Sequence, residues 1–307
     1  MAKKITIRMG GYGPPSTTHS RGLKYIGDEL TKKFGNSLEI KYIWNVMELG
    51  YGSDAVLWLT ECGMLDLVYM STTALTSRVP DLEFVDLPFL FPDNKSAREA
   101  YDGELGKSMR LAVEEKCNFL VLGYFENGFR HLSNRLRTVN SPKDLSGMSI
   151  RTLGSKMHNR TFELLNMIPK PMRLDEAKLS IANHEVDAQE NPFANTMTYG
   201  IHKIHKFHTL SSHFYLSRGL FANPQKHASW PSEIRYELKS IIKKSVKYQR
   251  KLAVVEENIA RAAIENVGGS VYELTQAEKK GFKDSLAIIY EEARKRFHES
   301  MFNSVGW

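Results

Sequence analysis

SEIRYELKSIIKKSVKYQRKLAVVEENIARAAIENV, residues 232–267, contains neither glycine nor proline. At ~1.5 Å of rise per residue this run makes a single helix about 50 Å long, far beyond the ~11–12-residue average. Such a helix is as long as two domains are wide, so it predicts a spine crossing both halves of the chain. Gly268-Gly269 stops it, and Ser270–Leu274 has the composition of a short strand. Thr275, with Glu278 three residues on, forms a capping box for a last helix through Phe297.

Upstream of the spine, strand and helix signals alternate. Ile5–Met9 is a β-branched run, and a turn-rich GGYGPPSTTHS leads into an amphipathic stretch from His19 to Phe34. Leu23, Ile26, Leu30 and Phe34 recur at spacings of three and four and share one helical face. Leu38–Trp44 alternates as a strand does, Ser53 or Asp54 can cap a helix through Cys62, and Leu65–Met70 is the next strand. Ala97–Glu115 is helical with a break near Gly103, and Phe119–Phe125 is an apolar strand. A second unit begins after Phe125, with a strand at Met148–Thr152 and helices at Ser155–Leu165 and Leu174–Asn183. The β-α-β-α-β order argues for a mainly parallel, doubly wound sheet.

Composition narrows the class. The 307 residues include 42 Lys+Arg against 35 Asp+Glu, a net charge of +7, and 42% are hydrophobic, which excludes disordered and collagen-like chains. The length suits two domains that need no disulfide or metal staple. No window approaches the ~18 consecutive apolar residues of a membrane span. The positive charge is spread over Lys3/Lys4, Lys32/Lys33, Arg130–Arg137 and the 239–251 stretch, where it reads as solvated helix surface. Without zinc-finger spacing or an RNP-type aromatic motif, nucleic acid is not expected as a partner. Cys62 and Cys117 fit either one disulfide or two buried thiols.

Catalytic signatures are missing: there is no Gly-x-Ser-x-Gly elbow, Walker A or His-Glu-x-x-His. Gly11-Tyr12-Gly13 follows a strand, but Ser16 replaces the third glycine of a dinucleotide fingerprint. His202, His205 and His208 repeat every three residues, and on a helix two of them could touch one metal; a basic surface segment is the plainer reading. Two arginines are more informative. Arg130 follows the Phe119–Phe125 strand at its C-terminal end, and Arg151 stands among apolar neighbours in Met148–Thr152. A buried arginine needs a partner, either a carboxylate of the protein or a bidentate ligand carboxylate. Gln189-Glu190-Asn191-Pro192 reads as a loop that positions a ligand or closes a turn.

Taken in order, these residues resemble the TRAP-transporter solute-binding proteins of the DctP type, over nearly the whole chain. The resemblance rests on Asp86-Leu87-Pro88-Phe89-Leu90-Phe91 with Asp102-Gly103, and on Asp144-Leu145-Ser146-Gly147-Met148-Ser149-Ile150-Arg151. It continues through Pro171-Met172, Glu176, and Val186-Asp187-Ala188-Gln189-Glu190-Asn191-Pro192. It implies an α/β fold, a two-lobed periplasmic binding protein (type II-like). Each lobe is a sheet flanked by helices, and a long helix spans both. The lobes are expected at 1–127 plus 211–250 and at 128–210 plus 251–307, closing on an organic acid in the cleft between them. Arg151 is the implied carboxylate clamp, Asn191 its supporting amide, and Arg130 a second positive group. Leu174, two residues after Pro-Met, lines the pocket where the family often has an aromatic residue. Tyr12, His19, Tyr69 and Phe193 are further expected ligand contacts. The family carries glycine where this chain has His184 and Ala188, and often at Cys117.

The resemblance further implies a monomeric, non-catalytic protein without cofactor or metal, which delivers its ligand to TRAP membrane permease subunits. It places the protein in the periplasm after removal of a signal peptide. A ligand-sensing module of the same fold is the alternative, and a metal-dependent enzyme using His202, His205 and His208 a more distant one.

Overall fold

The computed structural model describes residues 4–307. Its strands, in chain order, are β1 (Ile5–Gly10), β2 (Leu38–Ile43), β3 (Leu67–Ser71), β4 (Leu120–Asn134), β5 (Ser149–Thr152), β6 (Ile168–Pro171), β7 (Ala188–Asn191), β8 (Phe207–Ala222) and β9 (Ser270–Glu273). The chain divides into two compact units. Among the described residues, unit 1 holds those up to 72, 108–126 and 217–254, and unit 2 holds 73–107, 127–216 and 255–307. Strands β4 and β8 and the helix Ser232–Asn266 each belong partly to both. The spine is thus one 35-residue helix, as its uninterrupted composition dictates. Among the described residues, no helix is long and apolar enough to cross a membrane.

In unit 1, β1 pairs in parallel with β2 and β3, and β3 pairs antiparallel with the last part of β8, Ser71 opposite Arg218. The helix Thr18–Phe34 buries Leu23, Ile26 and Leu30 on the predicted face, and the Thr17 side chain caps it. A Cβ at Gly22 would come within 2.7 Å of the Phe125 ring, so this helix sits tightly on β4. Ser245 donates to the Gly22 carbonyl at 2.6 Å, which ties the spine to the same turn. Cys62 is exposed and Cys117 buried, and they form no disulfide.

In unit 2, β7 is central: it runs antiparallel to β4 and parallel to β5, and β5 is parallel to β6. Strand β9 lies parallel to the start of β8. The sheets are therefore mixed, where strand–helix alternation predicts mainly parallel pairing. Parallel partners need crossover connections, whereas β8 reaches its antiparallel place beside β3 along a 16-residue strand whose length no local pattern announces. QENP is also not a loop, because Gln189, Glu190 and Asn191 form most of β7. Arg130 lies within β4, which continues to Asn134 through Gly128 at φ +93°, a left-handed backbone that suits glycine. The last predicted helix is split into Gln276–Ser285 and Ala287–Arg294.

The expected lobe boundaries differ from this division chiefly at 73–107, which groups with unit 2. The cause is aromatic packing on the C-terminal helices. Phe84 meets Phe297 and Phe302 edge-on at 5.5 and 5.0 Å, Trp307 Nε1 donates to the Leu90 carbonyl at 3.0 Å, and Tyr290 donates to the Pro88 carbonyl.

Candidate functional site

Strand register sorts the polar residues of unit 2 onto two faces. Gln189 lies opposite Ser133 on β4 and Arg151 on β5, and Asn191 lies opposite His131. Because side chains alternate along a strand, Arg151, Gln189, Asn191, Ser133 and His131 share one face, while Arg130 and Glu190 point to the other.

Arg151 is 3% exposed, and its Nε and Nη2 both donate to the Met172 carbonyl at 3.1 and 2.9 Å. Leu174 opens the next helix, Leu174–Ala182, and is buried. Asn191 donates from Nδ2 to Gln189 Oε1 and accepts at Oδ1 from Asn195 Nδ2 at 3.3 Å. These contacts hold the guanidinium and the amide on neighbouring strands in fixed orientations, which is what charge-assisted recognition of a planar carboxylate requires.

Arg130 finds its partner within the protein. It forms a buried ion pair with Glu190: Nε contacts Oε2, and Nη2 reaches Oε1 at 2.8 Å and the Glu190 carbonyl at 2.6 Å. Neither side chain exceeds 2% exposure, so the guanidinium is matched by the glutamate of QENP itself. Phe193 lies in the core of unit 2. It is 1% exposed and packs with Ala260 and Ile264, its ring 4.7 Å from that of His131.

Unit 1 brings together Tyr12, His19 and Tyr69, and adds a residue that spacing did not reveal. The Arg218 guanidinium lies 5.0 Å from the centre of the Tyr12 ring and donates from Nη1 to His19 Nδ1 at 3.0 Å. His19 Nε2 faces the Glu126 carbonyl at 3.0 Å, and a carbonyl only accepts, so His19 carries its hydrogen on Nε2. Burial, and then Arg218, hold the His19 pKa well below its usual value, and the ring is neutral. The Tyr69 ring lies 5.6 Å from both Tyr12 and His19, and its hydroxyl meets Ser20 Oγ at 2.9 Å. Gly11 makes this possible, because a Cβ there would overlap the Tyr69 ring. Arg218 could have been noticed as the one charge in the apolar run Phe214–Ala222.

The histidine repeat does not converge on a metal. Ile201–Lys203 is a 3-10 turn and β8 starts at Phe207, so the even helical spacing is lost. His205 Nδ1 meets Ser133 Oγ, and His208 Nε2 donates to the His205 carbonyl, both at 3.0 Å. Among the described residues, no group of three or more His, Cys, Asp or Glu is placed to hold a metal ion.

Each of the two α/β units sets a buried arginine, Arg218 in unit 1 and Arg151 in unit 2, among oriented polar groups. Residues 9–296 match the family model for the bacterial extracellular solute-binding proteins, family 7 (DctP), and the chain belongs to that family. The 2,3-diketo-L-gulonate-binding periplasmic protein YiaO of Escherichia coli is 27% identical over 92% of this chain and 84% of its own length. The C4-dicarboxylate-binding periplasmic protein DctP of Rhodobacter capsulatus is 26% identical over 96% of this chain and 88% of its own. Among solved structures, a TRAP periplasmic solute-binding protein of Ralstonia eutropha with bound (S)-2-acetolactate has a TM-score of 0.88 at 26% identity, covering 99% of this chain and 98% of that one. One from Polaromonas with bound D-erythronate has a TM-score of 0.91 at 24% identity, covering 98% of each.

Proposed function

We propose that this protein captures an organic acid anion in the periplasm, as a monomer, and delivers it to the membrane permease subunits of a TRAP transporter. Arg151 is its carboxylate clamp and Asn191 the amide that orients the acid. The observation that carries this reading is the face shared by Arg151 and Asn191. The arginine is almost fully buried, and its Nε and Nη2 are fixed by the Met172 carbonyl. Bound acids in the solved relatives, acetolactate and erythronate among them, support the ligand class. In this reading Arg130 acts indirectly, by pinning Glu190 and with it the β7 strand that carries Asn191.

A thermal-shift screen over succinate, D-erythronate, D-glucuronate and D-galacturonate tests the ligand class, since a ligand in excess of its Kd raises the melting temperature. Calorimetry on Arg151→Lys then tests the clamp. Wild-type affinity in that variant refutes the role given to Arg151.

A further inference from the structure

The histidines of GIHKIHKFH are not grouped as metal ligands among the described residues, yet one of them is wired to the candidate site. We propose that His205 is a positioning residue that acts through Ser133 and Gln189 to keep an N–H of Asn191, and not a lone pair, turned toward the ligand carboxylate. This deepens the reading above and rests on Asn191 being a ligand contact.

The hydrogens along this chain of contacts can be assigned. Gln189 donates from Nε2 to Ser133 Oγ at 3.1 Å and to Thr196 Oγ1 at 3.0 Å, which uses both amide hydrogens. Its Oε1 is then the acceptor for Asn191 Nδ2. Ser133 Oγ accepts from Gln189, and its own hydrogen points to His205 Nδ1 at 3.0 Å. In this arrangement His205 carries its hydrogen on Nε2, the single buried polar atom that the assignment leaves without a partner. With the hydrogen on Nδ1 instead, both the Ser133 hydroxyl hydrogen and the Nε2 lone pair would be stranded, at twice the desolvation cost.

His205 is fully buried, and burial, followed by His208 and Arg135 nearby, holds its pKa down to about 3, so its Nδ1 stays an acceptor. His208 fixes it in place by donating to its carbonyl.

The far end agrees in sense. Asn195 Nδ2 donates to Asn191 Oδ1 at 3.3 Å and to Asn127 Oδ1 at 3.1 Å, so the Asn191 oxygen is turned away from Gln189. One Asn191 N–H goes to Gln189, and the second remains for a ligand. If the relay ran in reverse, Gln189 would donate to Asn191, and the atom beside it would be an oxygen with lone pairs alone. That oxygen repels a carboxylate and accepts from an amide. The orientation of His205 is therefore read out as a preference for an acid over its amide.

The experiment compares His205→Leu, which removes the acceptor, with His205→Asn, which puts an acceptor oxygen near the position of Nδ1. Kd is measured for the tightest-binding of succinate, D-erythronate, D-glucuronate and D-galacturonate, and for the monoamide of the same acid. In His205→Leu the acid-to-amide affinity ratio should fall about tenfold, the scale of one hydrogen bond to a charged group. In His205→Asn it should stay within about threefold of the wild-type ratio, a difference below that of one such bond. A merely structural role would weaken acid and amide together and leave the ratio alone, and that result overturns the proposal. Failure of the unaltered protein to bind any of the four acids instead overturns the functional reading on which it rests.

Discussion

Mild acid should destabilise this protein before its carboxylates are protonated. His131 and His205 are held down to about 3 and His208 to about 4, in each case first by burial; for His131, Lys279, Arg261 and Arg130 add to it. In the unfolded chain all three regain an ordinary value near ~6.5. As pH falls below that, the unfolded state takes up protons that the folded state refuses, so stability is lost with falling pH. Each ring contributes RT ln(1 + 10^(6.5−pH)), about 1.4 kcal/mol at pH 5.5, and the three together roughly 4 kcal/mol. At ~2.1 cal/mol/K of unfolding entropy per residue, this corresponds to a melting point roughly 6 °C lower at pH 5.5 than at pH 7.5. His19 and His213, also driven well below the usual value by burial, steepen the loss. Calorimetric melting across that pH range checks the slope, and histidine ring NMR checks the cause. A flat melting point, or rings that titrate near pH 6.5 in the folded protein, would refute the reasoning.

Three further predictions follow from single features. Arg151→Lys should leave melting unchanged within a few degrees but weaken acid binding at least about tenfold, because an ammonium cannot make the bidentate contact; calorimetric titration measures it. Glu190→Ala should cost roughly 3–5 kcal/mol by stranding Arg130, whereas Arg130→Met with Glu190→Leu should recover most of it; urea unfolding of the single and double variants gives the difference. His184→Gly should stabilise by roughly 0.5–1 kcal/mol, since relief of left-handed strain exceeds the entropy lost with glycine, and the urea midpoint reads it. His184 is exposed and sits at φ +60°. The family glycine expected at this position thus matches a backbone requirement that the histidine meets under strain.

Local signals were legible wherever a single element settles its own form. The gap-free run 232–267, the Thr275–Glu278 capping box and the apolar face of Leu23, Ile26 and Leu30 all describe interactions within a few turns. Pairing was not legible, because a strand's neighbours lie far along the chain. Nothing near QENP marks it as a strand between β4 and β5, and that register decides that Arg151 and Asn191 share a face while Arg130 turns to Glu190. The two buried arginines look alike in sequence, and only the strand alternation around them sends Arg130 to Glu190 and Arg151 to the opposite face. Arg218 was missed for the same reason, since its partner His19 lies 199 residues away.

The division of the chain also bears on how the protein is made. The chain passes from one unit to the other after residues 72, 107, 126, 216 and 254, so neither unit is a continuous stretch. Unit 1 needs 217–222 of β8 beside β3 and the spine turn that holds Gly22, and unit 2 needs the C-terminal helices against Phe84. At ~5–20 residues per second of synthesis, neither can close until most of the chain has emerged, and vectorial, domain-by-domain folding is closed to it. A ribosome stalled at residue 216 would hold two incomplete units instead of one finished and one nascent. The packing partners of both units are therefore complete only when synthesis is nearly finished.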